Sequence, residues 1–167
     1  MLKIKNFGEF IDISNDLNEK GLAIKCFIVG AGPEEVCLRS LVKNKGIPKL
    51  ISFLGHVHNM SEIYNSIDVL LITSIHEGIP TVLLEAMYFK KIVITRNVGG
   101  ISEVIEHNFN GFLYDEVEDA KKLVKMIYDN PINYKHIGIN ACNNVKAKYG
   151  NLIQAQRYAN IYRSLTV

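Results

Sequence analysis

The chain has 167 residues, enough for one domain with a substantial core. Apolar residues make up 48% and charged residues 22%, an ordinary globular balance, and a net charge of +2 gives no reason to expect a nucleic-acid partner. Three scattered cysteines, Cys26, Cys37 and Cys142, exclude a disulfide framework or a cysteine zinc cage and suit a reducing compartment.

Residues 2–18 read as a turn and a helix with no strand before them. A β-rich burst at 23–29 (AIKCFIV) ends in Gly30-Ala31-Gly32-Pro33, and 33–44 reads as a helix closed near Gly46-Ile47-Pro48. A short strand follows at 50–54, then a short helix at 60–66. The strongly apolar run 67–73 is expected to be a strand buried on both faces. Residues 80–89 read as a helix, 91–95 as a strand, 101–106 as a short helix and 111–114 as a short strand. Helical patterns dominate from Glu116 onward, divided into three helices by Pro131 and Gly150.

Alternating strands and helices imply a Rossmann-like α/β domain: a doubly wound parallel sheet with helices on both faces and a helical C-terminal tail. Ligands of such sheets sit at the carboxyl ends of the strands, so the chemistry is expected at 30–34, 55–59, 74–81 and 97–102. A doubly wound domain ordinarily opens with a strand, so the sequence looks truncated at its N-terminal edge. No apolar run reaches the ~20 residues of a membrane span. Residues 2–10 alternate charged and apolar side chains with no small-residue cleavage site. A cytoplasmic location is expected, with attachment to the inner face of a membrane left open.

The densest signal is Ser74-Ile75-His76-Glu77-Gly78-Ile79-Pro80-Thr81-Val82-Leu83-Leu84-Glu85-Ala86-Met87. Gly78 lets backbone approach a ligand closely, and Pro80 can open a helix because its missing N–H costs nothing there. The amides of the first turn, around Thr81, Val82 and Leu83, then form an anion site suited to a diphosphate. Glu85 could accept both hydroxyls of a vicinal diol such as a ribose, and Glu77 hydroxyls of a second sugar. A lone acidic residue near a helix start is ordinarily a solvated one that complements the helix dipole. Glu85, however, sits among Val82, Leu83, Leu84, Ala86 and Met87, where a charge needs a reason.

This stretch resembles the signature of retaining GT-B glycosyltransferases, specifically their large fourth family: two glutamates separated by seven residues. Other segments are similar to that family too: Phe27-Ile28-Val29-Gly30-Ala31-Gly32-Pro33-Glu34, Ile51-Ser52-Phe53-Leu54-Gly55-His56-Val57, Ile67-Asp68-Val69-Leu70-Leu71, Val98-Gly99-Gly100-Ile101-Ser102-Glu103-Val104-Ile105 and Asn110-Gly111-Phe112-Leu113. The resemblance implies a nucleotide-sugar donor as substrate. It implies that Glu77 contacts donor-sugar hydroxyls and Glu85 the ribose. The backbone after Gly78, from Ile79 through Pro80, Thr81, Val82 and Leu83, would hold the diphosphate and sugar, and His56 and Val57 would lie near the base. Lys5, in Lys5-Asn6-Phe7-Gly8-Glu9-Phe10, resembles the family's diphosphate-pairing lysine, and with Glu77 makes the expected catalytic pair. The family's arginine five positions earlier would precede Met1, and its acceptor-binding N-terminal half would lie outside this chain or in a partner subunit. The whole chain is then expected to be one donor domain, inactive by itself, from an enzyme acting on a glycan or lipid-linked acceptor in polysaccharide biosynthesis.

Gly30-x-Gly32 is not a dinucleotide fingerprint, because position 35 is Glu rather than Gly. His56, His58 and His76 lack the spacing of a helical metal pair. No Asp-x-Asp appears, which agrees with the metal-independent, cofactor-free transfer the resemblance implies. A non-catalytic donor-binding subunit of a split enzyme and a nucleotide-sugar epimerase-like domain remain alternatives.

Overall fold

The computed structural model describes residues 2–165. It opens with a 3-10 turn at Lys3–Lys5, followed by helix α1 (Phe7–Glu19). Strand β1 (Cys26–Val29), helix α2 (Glu35–Asn44), strand β2 (Ile51–Gly55) and helix α3 (Met60–Ser66) come next. Then come strand β3 (Val69–Ile72), helix α4 (Thr81–Tyr88), strand β4 (Ile92–Arg96), a 3-10 turn at Gly99–Glu103 and strand β5 (Phe112–Tyr114). Helix α5 (Val117–Asp129), a 3-10 turn at Pro131–Tyr134, helix α6 (Lys135–Lys148) and helix α7 (Asn151–Leu165) form the C-terminal part.

All strand pairs are parallel and helices cover both faces, as the β/α alternation implies. The ladder is divided in two, however: β1 pairs with β2, and β3 with β4 and then β5. Helix α1 spans the division. Its Ile11 packs with Ile28, Leu38 and Ile51, while Ile13 and Leu17 pack with Ile94, Phe112 and Ala120. On the opposite face, α4 and α6 bury Leu83, Ala86, Met87, Ala141 and Val145 against Ile72 and Val93. Among the described residues no helix is long and apolar enough to cross a membrane.

Several expectations need correction. The 67–73 run is not buried on both faces: Val69, Leu70 and Leu71 are half-buried, whereas Ile92 to Thr95 of β4 are all buried. The cause is pairing: β4 has a strand on each side, and β3 is hydrogen-bonded only to β4. The first strand starts at Cys26 rather than 23, because the Ala23 amide donates to the Tyr128 hydroxyl and the Ile24 amide to the Leu22 carbonyl. Helix α2 starts two residues after Pro33, since the Glu35 amide donates to the Gly32 carbonyl in a turn. Residues 101–106 are not an α-helix; a 3-10 turn begins earlier, at Gly99.

Candidate donor-binding site

Thr73 and Ser74, at the end of β3, are buried, and the chain then loops outward through His76 to Pro80 before α4. Pro80 is extended (φ −72°, ψ 136°) and flanks the helix rather than opening it. No side chain caps α4. The Leu83 amide donates to the Pro80 carbonyl at 3.0 Å, so its donor is already engaged. Thr81 and Val82, the first two helical residues, have amides with no carbonyl a turn behind them. Both residues are exposed, so these two N–H groups are the donors α4 offers to an anion.

Glu77 lies on the loop ahead of α4, with a side chain 12% exposed. Its Oε1 accepts from Lys5 Nζ at 2.5 Å, which joins two residues 72 positions apart in sequence. The two groups expected to carry the chemistry are therefore in direct contact. The backbone beneath Lys5 is fixed to the end of β3. Thr73 Oγ1 donates to the carbonyls of Lys5 and Asn6 at 3.1 and 3.0 Å, and the Ile75 amide donates to the Ile4 carbonyl. Asn6 adopts the left-handed conformation (φ 50°) that turns the chain from the 3-10 turn into α1. Asparagine tolerates that conformation better than most residues.

A second backbone contact supports the Glu77 loop. The Gly100 amide donates to the Glu77 carbonyl at 3.3 Å. Gly99 (φ 55°) lies so close that a Cβ there would stand 1.7 Å from the Glu77 carbonyl oxygen. Gly99 and Gly100 lie in the 97–102 turn, one of those expected at the ligand end of the sheet, and the sequence marks no contact between them and Glu77. The structure supplies that contact: this turn holds the backbone that carries Glu77.

Glu85 is half-buried on α4, and its Oε2 accepts from the Tyr64 hydroxyl at 2.7 Å. This explains a carboxylate within an apolar helix. Burial, followed by the bond to the Glu85 carboxylate, pushes the Tyr64 phenol well above its ordinary range. The role of Tyr64 was missed in the sequence because nothing in the α3 pattern marks its partner on α4. His56, exposed, and Val57, half-buried, follow β2 in the other sheet. No hydrogen bond among the described residues ties either to Lys5, Glu77 or Glu85. Among the described residues, no group of three or more His, Cys, Asp or Glu side chains is arranged to hold a metal ion.

Residues 1–143 match the family described as glycosyl transferases group 1. N-acetyl-alpha-D-glucosaminyl L-malate synthase of Bacillus anthracis is 34% identical over 142 residues, covering 83% of this chain and 37% of the relative's length. Among solved structures, the C-terminal domain of a glycosyl transferase group 1 family protein (LpcC) of Francisella tularensis superposes with a TM-score of 0.78. It is 26% identical and the match covers 90% of this chain and 83% of that one. HepE of Anabaena, solved in complex with UDP and glucose, shares the fold with a TM-score of 0.89 at 22% identity, over 98% of this chain and 46% of that one. The match over most of the chain and the shared α/β architecture lead to one conclusion: the chain belongs to the glycosyl transferases group 1 family.

Proposed function

We propose that this chain is the donor-binding part of a retaining hexosyltransferase of the fourth GT-B family, and that it takes a nucleotide sugar. The observation that carries the reading is the contact between Lys5 and Glu77, one cation and one carboxylate on the loop that leads directly into the uncapped first turn of α4. Cation and amides together suit a diphosphate, and the carboxylate suits sugar hydroxyls. HepE, which shares the fold, was solved with UDP and glucose.

Glycosyl transfer passes through an oxocarbenium-like state as the bond to the leaving phosphate breaks. Negative charge then grows on the diphosphate. Lys5 Nζ and the Thr81 and Val82 amides stabilise that charge, which is transition-state stabilisation by fixed dipoles and a cation. Glu77 gives up Lys5 to the diphosphate and orients the sugar through its hydroxyls; it is not a nucleophile. Glu85 keeps Tyr64 on Oε2 and offers Oε1 to the ribose. His56 and Val57 border the base. The transfer is metal-independent in this reading, and a chelator leaves turnover unchanged. The acceptor, a glycan or a lipid-linked sugar, binds a further domain or subunit at the cytoplasmic face of a membrane, and the isolated chain transfers nothing.

The test is sugar transfer by the intact enzyme carrying Glu77→Ala or Lys5→Ala. Each is expected to lose at least about a hundredfold in kcat/KM, the cost of removing one well-aimed electrostatic group. Turnover near the wild-type value in either variant overturns the assignment.

A further inference from the structure

The first turn of α1 contains a carboxylate that the donor-binding reading leaves without a role. Glu9 has a side chain 12% exposed and receives three donors, one from the N-cap of its own helix and two from the ends of β4 and β5. Arg96, at the end of β4, donates through Nη2 to Oε2 at 2.5 Å. Asn6, the residue after Lys5, donates through Nδ2 to the same oxygen at 2.9 Å. The hydroxyl of Tyr114, at the end of β5, donates to Oε1 at 2.9 Å and also lies 3.3 Å from the Ile72 carbonyl.

Each partner leads back to the Lys5–Glu77 pair. Asn6 connects Glu9 to Lys5, whose carbonyl is held by Thr73. Arg96 ends the strand that runs through Asn97 and Val98 into Gly99 and Gly100, the turn that supports the Glu77 backbone. The Asn97 amide donates to the Tyr114 carbonyl, and Arg96 Nη1 donates to the Asp115 carbonyl, so β4 and β5 end as one unit. A single carboxylate thus links the wall that carries Lys5 to the wall that carries Glu77. Charge-assisted bonds inside a protein are the strong ones, and a network of them fixes geometry more firmly than its separate pairs.

We infer that Glu9 is a positioning residue: it sets where the Lys5 ammonium stands relative to Glu77, and through Lys5 it governs binding of the donor diphosphate. The second clause rests on the donor-binding reading; the first does not. Glu9 touches neither partner of the pair through its own side chain. It acts through the conformation of Asn6 and through the turn that follows β4. A catalytic geometry must be held to within a fraction of an ångström by supporting contacts, and Glu9 gives Lys5 that support through Asn6.

Two measurements on this chain test the inference. The first needs no ligand. The rate at which the Lys5 amine is acetylated by acetic anhydride is measured against that of Lys3, its exposed neighbour two residues away. Lys5 is expected to react several-fold more slowly than Lys3 in the wild type, and the ratio to approach one in Glu9→Gln. Asn6→Gly, which keeps the left-handed backbone but removes the link, is expected to act the same way. A ratio unchanged in both variants overturns the inference. The second is a double-mutant cycle on UDP affinity measured calorimetrically. Glu9→Gln is expected to weaken UDP binding about tenfold, yet to change it less than about twofold when Lys5→Ala is already present. An equal loss in both backgrounds means that Glu9 acts on the fold generally and overturns positioning through Lys5. If the wild type binds no UDP but the labelling ratio responds, the donor-binding reading fails while the positioning of Lys5 stands.

Discussion

Adding one methyl group at Gly99 separates two physical effects on the loop that carries Glu77. The first is backbone strain. Gly99 has φ 55°, and a residue with a Cβ pays about 1–2 kcal/mol for the left-handed region. The second is collision. The new Cβ would stand 1.7 Å from the Glu77 carbonyl oxygen, against the 3.0 Å below which real Cβ atoms essentially never approach another atom. The obstructing atom is backbone, not the tip of a flexible side chain, so the loop that carries Glu77 must retreat by roughly an ångström or more. A misplacement of about 1 Å costs on the order of a hundredfold in rate where a group must meet a reacting centre. Gly21 supplies the control: it also has a positive φ, 86°, and a Cβ there meets nothing within 4 Å. Gly21→Ala should therefore lower the melting temperature by about 2–8 °C, the strain alone in a chain of this length, and leave transfer by the intact enzyme untouched. Gly99→Ala should show at least a comparable loss of stability and about a hundredfold loss of kcat/KM. Both are read by thermal unfolding and by initial rates. Activity of Gly99→Ala within twofold of Gly21→Ala would refute the claim that this glycine holds Glu77 in place.

Tyr64 and Tyr114 are both pushed to high pKa, by burial first and then by the carboxylates of Glu85 and Glu9 respectively. Their folded-state values lie above the ordinary tyrosine value near 10, so the stability they contribute is complete below about pH 10 and is lost as the pH rises beyond it. In an alkaline titration followed at 295 nm, two of the eight tyrosines should ionise only together with unfolding; eight independent tyrosines titrating in the folded state would contradict this. Gly138, on α6, packs against the turn after α4, where a Cβ would come within 2.1 Å of the Lys90 carbonyl oxygen. Gly138→Ala should destabilise by about 1–3 kcal/mol in urea unfolding despite alanine's better helix propensity. A stabilised variant would show that α6 can shift freely.

The β/α alternation was readable because buried strands and amphipathic helices leave different periodicities, and α3 occupies the same residues that its pattern marked out. The site was readable where one short segment carries several functional residues, as 74–87 does. What the sequence did not reveal depends on long-range contacts. Glu85 is anomalous in the sequence because its donor, Tyr64, lies 21 residues earlier on a different helix. Glu9 meets Arg96 and Tyr114 across 87 and 105 residues, and no local pattern encodes such pairs. The half-burial of β3 was equally hidden, because composition records how apolar a strand is but not how many neighbours it pairs with.

The most direct test of the central claim is a calorimetric titration of this chain with UDP and the other nucleoside diphosphates, for the wild type and for Lys5→Ala. Saturable binding of at least one of them is expected in the wild type, weakened at least about tenfold in the variant by loss of a charge-assisted contact to the diphosphate. No heat with any nucleoside diphosphate, or equal affinity in the two proteins, would contradict a diphosphate site built on Lys5.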